Sequence, residues 1–501
     1  MTSASDVAAQ GAADERQLAA LGYKQQLSRS LGLLSNFSVG FTYLSPVVGV
    51  YTLFAFGLAL AGPAFIWSYP IVLIGQFLVV FTFGEVASQY PLAGGIFQWT
   101  KRLVGPRYAF MSGWMYTMAL LITVAAVAYA ANTYAAPLFG YDPKSLDFDL
   151  AGQTFSGTTI LAAVIVIVLG GILNMLGIRR LAFLARIGVA VEIAGTVGLA
   201  VWLLLTDRHQ DFGVIFQSGG AGAGDYVGAF LAAGLAAVWV FYGFEACGDI
   251  AEEVQDPSRK VPRAMIWTLG VGGAVSIFLV FALIVAVPDI GAVISGKSLY
   301  PIDEILASSF GDVGSKIALA LILFAFVSCT IAIQGASIRL VYSFARDGMV
   351  PGSAALSRVN PRFHMPPGAV LVATIVPAII TFLPSATVAK IITFAVIGIY
   401  LGFQSVVLAS IIARRRGWKP SGSFTLGSWG MTVNVLALIY GVSAIVILSI
   451  KTPAATDEFL DKWLVPISAG IVAIIGLLYL VIAQPKERIQ DHARADAINM
   501  G

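Results

Sequence analysis

Long apolar stretches recur along almost the whole chain and are separated by short polar segments. Each stretch is about as long as the roughly 20 residues that a helix needs to cross a bilayer. None shows the strict alternation of apolar and polar residues that is typical of barrel strands. The pattern therefore predicts an all-α integral membrane protein with twelve transmembrane helices. The expected spans are 30–58, 64–88, 108–137, 157–176, 182–206, 227–252, 263–287, 315–345, 368–384, 390–412, 430–450 and 463–483.

The distribution of these spans suggests one polytopic domain with two tails. Residues 1–28 are polar and rich in alanine, without the features of a secretory signal, and are predicted to be a disordered tail. Residues 29–413 contain the first ten spans and are expected to form the core. The last two spans lie in 414–484, and a second tail is expected at 485–501.

Composition strengthens the membrane assignment. The chain has 58% hydrophobic and only 11% charged residues, with a mean hydropathy of +0.85, whereas soluble domains are about one-quarter charged. The lipid bilayer is the expected environment, and no feature suggests nucleic acid. Cys247 and Cys329 lie in apolar segments without the spacing of a metal site. No metal and no cofactor is predicted.

The positions of Lys and Arg predict the orientation. Basic residues concentrate in the loops on the N-terminal side, for example Arg259, Lys260 and the run from Arg414 to Arg416. The positive-inside rule then places both termini in the cytoplasm of a multi-pass plasma-membrane protein. Glu85, Arg339 and the 414–416 run lie near these predicted cytoplasmic ends, where snorkelling or setting of the topology is the expected role.

Two spans are interrupted by helix-breaking residues. The first contains "TYLSPVVGVY", with Pro46 and Gly49 in its middle, and in the sixth Gly243 and Gly248 bracket Glu245. These spans are corresponding members of two five-helix halves. Interrupted segments at matching places in two halves indicate a transporter's binding site near the bilayer midplane. The alternative is a pair of ordinary kinks, because Gly and Pro are common in membrane helices.

Three motifs resemble those of the amino acid, polyamine and organocation (APC) superfamily. They are "GEVASQYPLAGGIFQWTKRLVGP" after the second span, "GFEACGDIAEEVQDPSRKVPRAM" after the sixth and "SIRLVYSFARDGMVP" at the end of the eighth. The first span, "FSVGFTYLSPVVGVYTLF", resembles the amino acid and choline transporter branch. The resemblance implies the leucine-transporter fold, in which five helices are repeated in inverted orientation and two peripheral helices follow. It also implies a transporter, not an enzyme, that works by alternating access.

The two breaks supply the predicted substrate site. A broken helix exposes N–H groups at one end and C=O groups at the other, so it offers partial charges of both signs to a small solute. At the first break, N–H groups would meet a substrate carboxylate. In family members with more glycine a carboxylate can approach the backbone closely, whereas Val47 and Val48 add bulk in this chain. A substrate that lacks a carboxylate, such as an amine, is therefore also possible. The predicted substrate-binding residues are Ser45, Pro46, Val47, Val48, Gly49, Trp239, Phe241, Tyr242, Gly243, Phe244 and Glu245.

Glu245 has two possible roles. The spacing of Trp239, Gly243 and Glu245 resembles the gate of arginine/agmatine-type exchangers, where the tryptophan covers the substrate and the acid takes part in proton-linked transport. Alternatively, the carboxyl group accepts hydrogen bonds from the freed backbone. An unpaired charge at the bilayer centre costs at least roughly 2.5 to 3.5 kcal/mol, so Glu245 must be protonated, paired or facing water. Aromatic residues that are candidates to line the cavity are Trp114, Tyr116, Phe241 and Tyr400.

Glu192, in the middle of the fifth span, is the second candidate coupling residue beside Glu245. Its place resembles the one that a lysine holds in proton-coupled relatives, where the lysine substitutes for a sodium ion. Glu192 is therefore a candidate proton carrier. Its structural alternative is a packing hydrogen bond to Ser328 or Thr330 on the eighth span. The rival coupling hypothesis is a sodium site formed by first-span carbonyl groups with Ser328 and Thr330.

The function predicted from these features is secondary active transport of a small amino acid or amine, with GABA, choline-like and polyamine substrates all possible. Proton coupling is expected, and a sodium-coupled symporter or an exchanger is the alternative. A channel or receptor belongs to another class, and a channel would need a continuous polar stripe or a ring of charges. A membrane enzyme is the third hypothesis, but the sequence has no cluster of catalytic residue types.

Overall fold

The computed structural model describes residues 4–384, 388–450 and 459–485. Helices form nearly all of the regular structure in these ranges. One antiparallel hairpin pairs β1 (Phe148–Leu150) with β2 (Gln153–Phe155). The predicted C-terminal tail lies outside the described residues from position 486 onwards.

The helices follow the apolar stretches closely. In the first half they are α1 (Ala4–Ala20), α2 (Leu33–Leu44), α3 (Pro46–Ala61), α4 (Ser68–Gln89), α5 (Gly95–Leu103), α6 (Pro106–Ala130), α7 (Asn132–Phe139), α8 (Gly157–Met175) and α9 (Ile178–Thr206). In the second half they are α10 (Tyr226–Ala233), α11 (Leu235–Val240), α12 (Ala246–Asp249), α13 (Pro257–Ala286), α14 (Ile290–Ile294), α15 (Pro301–Arg346), α16 (Ser353–Leu356), α17 (Pro367–Ile380), α18 (Val388–Arg415), α19 (Gly430–Ile450), α20 (Phe459–Lys462) and α21 (Leu464–Ala483).

Proline begins several of these helices and thereby fixes their first residue. Pro46, Pro106, Pro257, Pro301 and Pro367 each occupy the first helical position. A proline costs little there, because the first N–H groups of a helix have no partner within the helix. Proline therefore marks where a helix starts as well as where one is interrupted.

Ten helical segments in the described ranges are long and apolar enough to cross a membrane. The first joins α2 and α3 as Leu33–Ala61. Two further apolar helical segments are shorter, Tyr226–Val240 and Pro367–Ile380, and they fall on the predicted spans 227–252 and 368–384. The multi-span helical architecture is thus confirmed, while the count of twelve and the inverted repeat stay predictions.

The interrupted helices lie at the centre of the packing. α2 packs against α9, α13 and α15, and α3 packs against α11 and α13. By contrast, most residues in the apolar windows of α19 and α21 are not buried. The core therefore surrounds the two breaks, and the last two apolar helices lie at its edge.

The N-terminal segment contains a docked helix, where the sequence predicted disorder. In α1, Asp14 accepts a hydrogen bond from the backbone N–H of Asp256 at 2.9 Å and pairs with Arg29 at 3.5 Å. The Gln17 amide donates to the Ser258 hydroxyl at 2.9 Å. An alanine-rich sequence has high helix propensity, and these contacts offset the entropy lost on ordering it.

Buried ion pairs replace the snorkelling that was expected at the predicted cytoplasmic ends. Arg339 is only 2% exposed and donates to Glu253 at 2.9 Å. Arg414 pairs with the fully buried Glu85. The snorkelling interpretation was wrong for Arg339 and Arg414, because each guanidinium has a carboxylate from another helix or loop within reach. Two further pairs lie on the same side, Arg346–Glu252 and Lys101–Asp347.

Candidate functional site

The first break lies at Ser45, between the end of α2 and the start of α3. Ser45 has φ 39° and ψ 95°, a strained conformation for a residue with a side chain. Pro46 has no N–H, and the Val48 N–H donates to the Ser45 hydroxyl at 3.2 Å in place of a helical carbonyl. The Tyr43 carbonyl instead accepts from the Cys329 thiol at 3.2 Å. The helical hydrogen-bond ladder is therefore interrupted at this point.

The carboxylate of Glu192 on α9 occupies the N-terminus of α3. Its Oε1 accepts from the Ser45 hydroxyl at 2.6 Å and from the Val47 N–H at 3.2 Å. The sequence predicted a substrate carboxylate at this place. A negative group fits there because the N-terminal end of a helix carries partial positive charge. In this structure the chain itself supplies that negative group.

Glu192 does not form the hydrogen bond to Ser328 or Thr330 that was the structural alternative to its predicted role, and its carboxylate instead bonds with Ser45 and Val47. The Thr330 hydroxyl donates to the Phe326 carbonyl within its own helix at 2.8 Å. Ser328 lines a separate cavity of about 140 Å³ together with Thr42. In the described ranges there is no group of three or more His, Cys, Asp or Glu side chains that could hold a metal ion.

A larger cavity of about 430 Å³ lies between α9 and α15 and reaches Glu192. Val47 and Tyr51 from α3 line one end of it, and Trp202 and Phe324 line its flanks. Most of the lining is apolar. Glu192 therefore lies between an apolar cavity and the backbone N–H groups at the first break that have no partner within the helix.

The second break separates α11 from α12. Gly243 has φ +109°, a conformation that favours glycine. Its N–H donates to Oε2 of Glu245 at 2.7 Å, and the Tyr116 hydroxyl on α6 donates to Oε1 at 3.1 Å. The carboxyl group of Glu245 thus caps freed backbone, as its structural alternative predicted. It is fully buried and forms no ion pair with a Lys or Arg of the described chain.

The structure brings the two breaks into direct contact. A Cβ atom on Gly243 would lie 2.7 Å from the backbone nitrogen of Leu44. A Cβ atom on Gly49 would lie 2.9 Å from Cγ2 of Val240. Glycine at both positions therefore lets the two chain segments approach closely. The segment that precedes the first break lies against Gly243, and the segment that precedes the second break lies against Gly49.

Aromatic rings surround the space beside Glu245. Trp239 meets Tyr242 edge-on at 5.7 Å between ring centroids, and Tyr242 meets Tyr43 in the same way at 6.1 Å. Tyr43 was not singled out from the sequence. These three rings and the Glu245 carboxylate are nearly or fully buried, so the site is occluded.

The other predicted aromatic residues have different partners. Phe241 packs against Tyr69 on α4, and Phe244 packs against Phe403 on α18. Trp114 donates to the Val472 carbonyl on α21. Tyr400 bonds with Gln76 and Tyr440. Of the four aromatic residues proposed for the cavity lining, Tyr116 is the one that bonds with Glu245.

Sequence reasoning also missed Asp249. It is fully buried in α12, one helical turn beyond Glu245. The signal was present in the sequence, because Glu245, Asp249 and Glu253 recur at intervals of four residues. Such spacing places side chains on one face of a helical turn.

Comparison with known families identifies the family of this chain. A family model described as amino acid permease matches residues 31–484, which include both breaks and the four buried ion pairs described above. The chain belongs to the amino acid permease family. The resemblance to the APC superfamily is thereby confirmed.

Several curated proteins resemble this permease over most of their length. Amino-acid permease BAT1 of Arabidopsis thaliana is 26% identical, with 93% of this chain and 94% of that protein covered. The GABA-specific permease of Saccharomyces cerevisiae is 24% identical, with coverages of 95% and 85%. The choline transporter of the same yeast is 26% identical, with coverages of 87% and 78%. The permease is therefore a multi-span membrane transporter.

Proposed function

We propose that this permease is a secondary active transporter that moves a small amino acid or amine across the plasma membrane by alternating access, driven by protons. The proposal rests on the contact between the two breaks and on the buried carboxylate that lies at each of them. Glu192 lies at the first break and Glu245 at the second. Both termini are proposed to be cytoplasmic, because the basic loops lie on the N-terminal side.

The second break supplies chemistry for a cationic nitrogen. Glu245 offers a carboxylate, and Tyr43, Trp239 and Tyr242 offer aromatic faces that attract cations. The names of two yeast relatives, a GABA-specific permease and a choline transporter, point to solutes that each carry a cationic nitrogen. An ammonium group is therefore the substrate feature that this site favours.

The first break supplies a way to couple a proton to a substrate carboxylate. While Glu192 is charged, it holds the N–H of Val47 and the hydroxyl of Ser45. Protonation would remove its negative charge from the start of α3 and free this position for a substrate carboxylate. Release of the proton would let Glu192 compete for the same groups again. For an amine without a carboxylate, Glu192 would act through its charge alone.

Uptake into proteoliposomes tests this proposal. Purified permease should give saturable, trans-stimulated uptake of amino acids or amines, and an inward proton gradient should drive accumulation. Glu245→Gln and Trp239→Ala should each reduce uptake by about tenfold or more, because each removes a contact made to a buried ammonium group. Both variants should remain folded in detergent, Glu245→Gln with an apparent melting temperature close to that of the parent and Trp239→Ala with a lower one, because truncation of the buried tryptophan leaves a cavity.

Two surface substitutions serve as matched controls. Glu304→Gln and Trp429→Ala change the same residue types at exposed positions and should leave uptake unchanged. Normal transport by both Glu245→Gln and Trp239→Ala would show that the proposed residues do not form the substrate site. Accumulation driven by sodium without a proton gradient would replace proton coupling by the sodium alternative, and conduction without saturation would favour a channel.

A further inference from the structure

Three acidic residues follow one another from the second break towards the side that carries the N-terminal segment. Glu245, Asp249 and Glu253 are spaced four residues apart, and each is fully buried. Glu245 accepts from Tyr116 and from backbone, and Glu253 accepts from Arg339. Neither carboxylate oxygen of Asp249 has a hydrogen-bond partner of normal geometry in the described chain. Of the three carboxyl groups in the described chain, the middle one is thus the one that accepts no hydrogen bond of normal geometry.

The titratable groups that face Asp249 come from four elements. On its own segment the nearest charged group is Glu245, and the Asp249 N–H bonds to the Glu245 carbonyl at 3.0 Å. The phenols of Tyr116 on α6 and Tyr43 on α2 are close enough to interact with it. Among the described residues, Arg339 on α15 is the cation that acts on Asp249, and it is already bonded to Glu253 at 2.9 Å.

The charges of this group do not balance when every carboxyl group is ionised. Arg339 neutralises Glu253, so ionised Glu245 and Asp249 would leave two buried negative charges one helical turn apart. The effective cost of burying an uncompensated ion is several kcal/mol, and neighbouring carboxylates resist simultaneous ionisation. The pair therefore holds at least one proton when no cationic solute is bound.

We propose that Asp249 is the inner proton acceptor of this transporter, receiving the proton that Glu245 gives up when transport proceeds. The inference rests on the proposed proton-coupled function. In the step, the Glu245 carboxyl group gives its proton to the Tyr116 oxygen while the Tyr116 hydroxyl gives its own proton to the Asp249 carboxylate. Tyr116 ends unchanged, Glu245 ends as a carboxylate, and no carbon bond or oxidation state changes.

A fixed structural role for Asp249 is the competing explanation. The Gly94 N–H donates to the Asp249 backbone carbonyl at 3.2 Å, and a Cβ atom on Gly95 would lie 2.6 Å from Asp249 Oδ1. The carboxyl group therefore lies against the start of α5, where a negative charge is favourable. This role predicts a loss of stability on substitution, and no selective effect on proton coupling.

Two assays on the same proteoliposomes separate these explanations. Substrate exchange at equal pH on both sides requires binding and alternating access without net proton movement. Accumulation under a proton gradient requires the relay as well. Asp249→Asn should keep exchange within about twofold of the parent and reduce accumulation by about tenfold or more, since positioned proton transfer contributes roughly 10²- to 10⁴-fold to rates. Tyr116→Phe, which removes only the relay hydroxyl, should lower the ratio of accumulation to exchange in the same direction.

Asp256→Asn is the matched control, because it makes the same change in a partly exposed position at the start of α13. It should behave like the parent in both assays. Accumulation at the parent level by Asp249→Asn would overturn the relay, and so would equal loss of exchange and accumulation. Sodium-driven accumulation that Asp249→Asn abolishes would assign the carboxyl pair to sodium and overturn it too. Absence of any exchange by the parent protein would instead reject the proposed function.

Discussion

Glu192 combines an observed structural role with a proposed functional one. The sequence identified it as an acid in an apolar span, but its partners could not be read from spacing, because they belong to a helix far away in sequence. The Ser45 hydroxyl and the Val47 N–H became available only because the chain breaks at Ser45. A carboxyl group at the N-terminal end of a helix is stabilised while charged and loses that stabilisation on protonation.

Substitution of Glu192 should separate these two roles. In Glu192→Gln the amide oxygen can still accept from Val47 and Ser45, so we expect a folded protein that has lost accumulation under a proton gradient. In Glu192→Ala both donors lose their acceptor, and we expect an additional destabilisation of about 1 to 3 kcal/mol. Uptake in proteoliposomes and thermal unfolding in detergent measure the two effects. Undiminished accumulation by Glu192→Gln would exclude the proton-carrier role.

At the scale of elements, the sequence located both breaks but not their exact form. The sequence predicted a first break that extends from Ser45 to Gly49, whereas α3 is regular from Pro46 and the interruption is confined to Ser45. Proline at the first helical position starts a helix without losing a bond, so the disruption falls on the residue before it. For α1 the composition predicted disorder where the structure has a helix. Its contacts with Asp256 and Ser258 are tertiary, so they cannot be predicted from the local sequence.

Gly243→Ala tests the second break as an element. The new methyl group would meet the Leu44 backbone nitrogen at 2.7 Å, and alanine is strained at φ +109°. Strain of this kind costs about 1 to 3 kcal/mol, and the backbone contact adds to it. We expect a lower apparent melting temperature and loss of uptake.

Gly198→Ala provides the control for that substitution. Gly198 lies within α9, and a Cβ atom there would meet nothing within 4 Å. Alanine is favoured over glycine in a helix by about 1 kcal/mol, so this variant should be at least as stable as the parent and transport normally. Equal behaviour of the two variants would argue against a special role for Gly243.

At the scale of the whole molecule, the N-terminal segment joins parts of the chain that are distant in sequence. The hydroxyl of Tyr23 bonds with Gln98 on α5 at 2.9 Å and with Asp347 at the end of α15 at 3.1 Å. The Arg346 guanidinium lies 3.9 Å from the centre of the Tyr23 ring. Further along the segment, the Ser30 N–H donates to the Glu253 carbonyl at 2.9 Å. The segment thus ties together the ends of helices that border the proposed proton route.

Tyr23→Phe should weaken this docking. Loss of a hydrogen bond to a charged acceptor costs about 1.5 to 3 kcal/mol, so hydrogen exchange of residues 9–31 should become faster. Burial, with a smaller contribution from Asp347, raises the pKa of Tyr23 to about 12. Because the folded pKa lies above the unfolded value, the contribution of the hydroxyl should be constant up to about pH 9 and disappear as pH rises from about 10 towards 12.

Tyr300→Phe is the control for this experiment, because Tyr300 is 57% exposed and lies just before α15. Exchange of the N-terminal segment should not respond to it. If Tyr23→Phe leaves exchange unchanged as well, the hydroxyl bonds do not hold the segment in place.

The glycine contacts between the two breaks restrict how the site can open. With Gly243 against Leu44 and Gly49 against Val240, neither interrupted helix can turn about its long axis while its neighbour stays still. Lateral separation must come before rotation. A solute large enough to carry a side chain should therefore enter only after the two interrupted segments have begun to part, which would make opening a property of the pair and of neither segment alone.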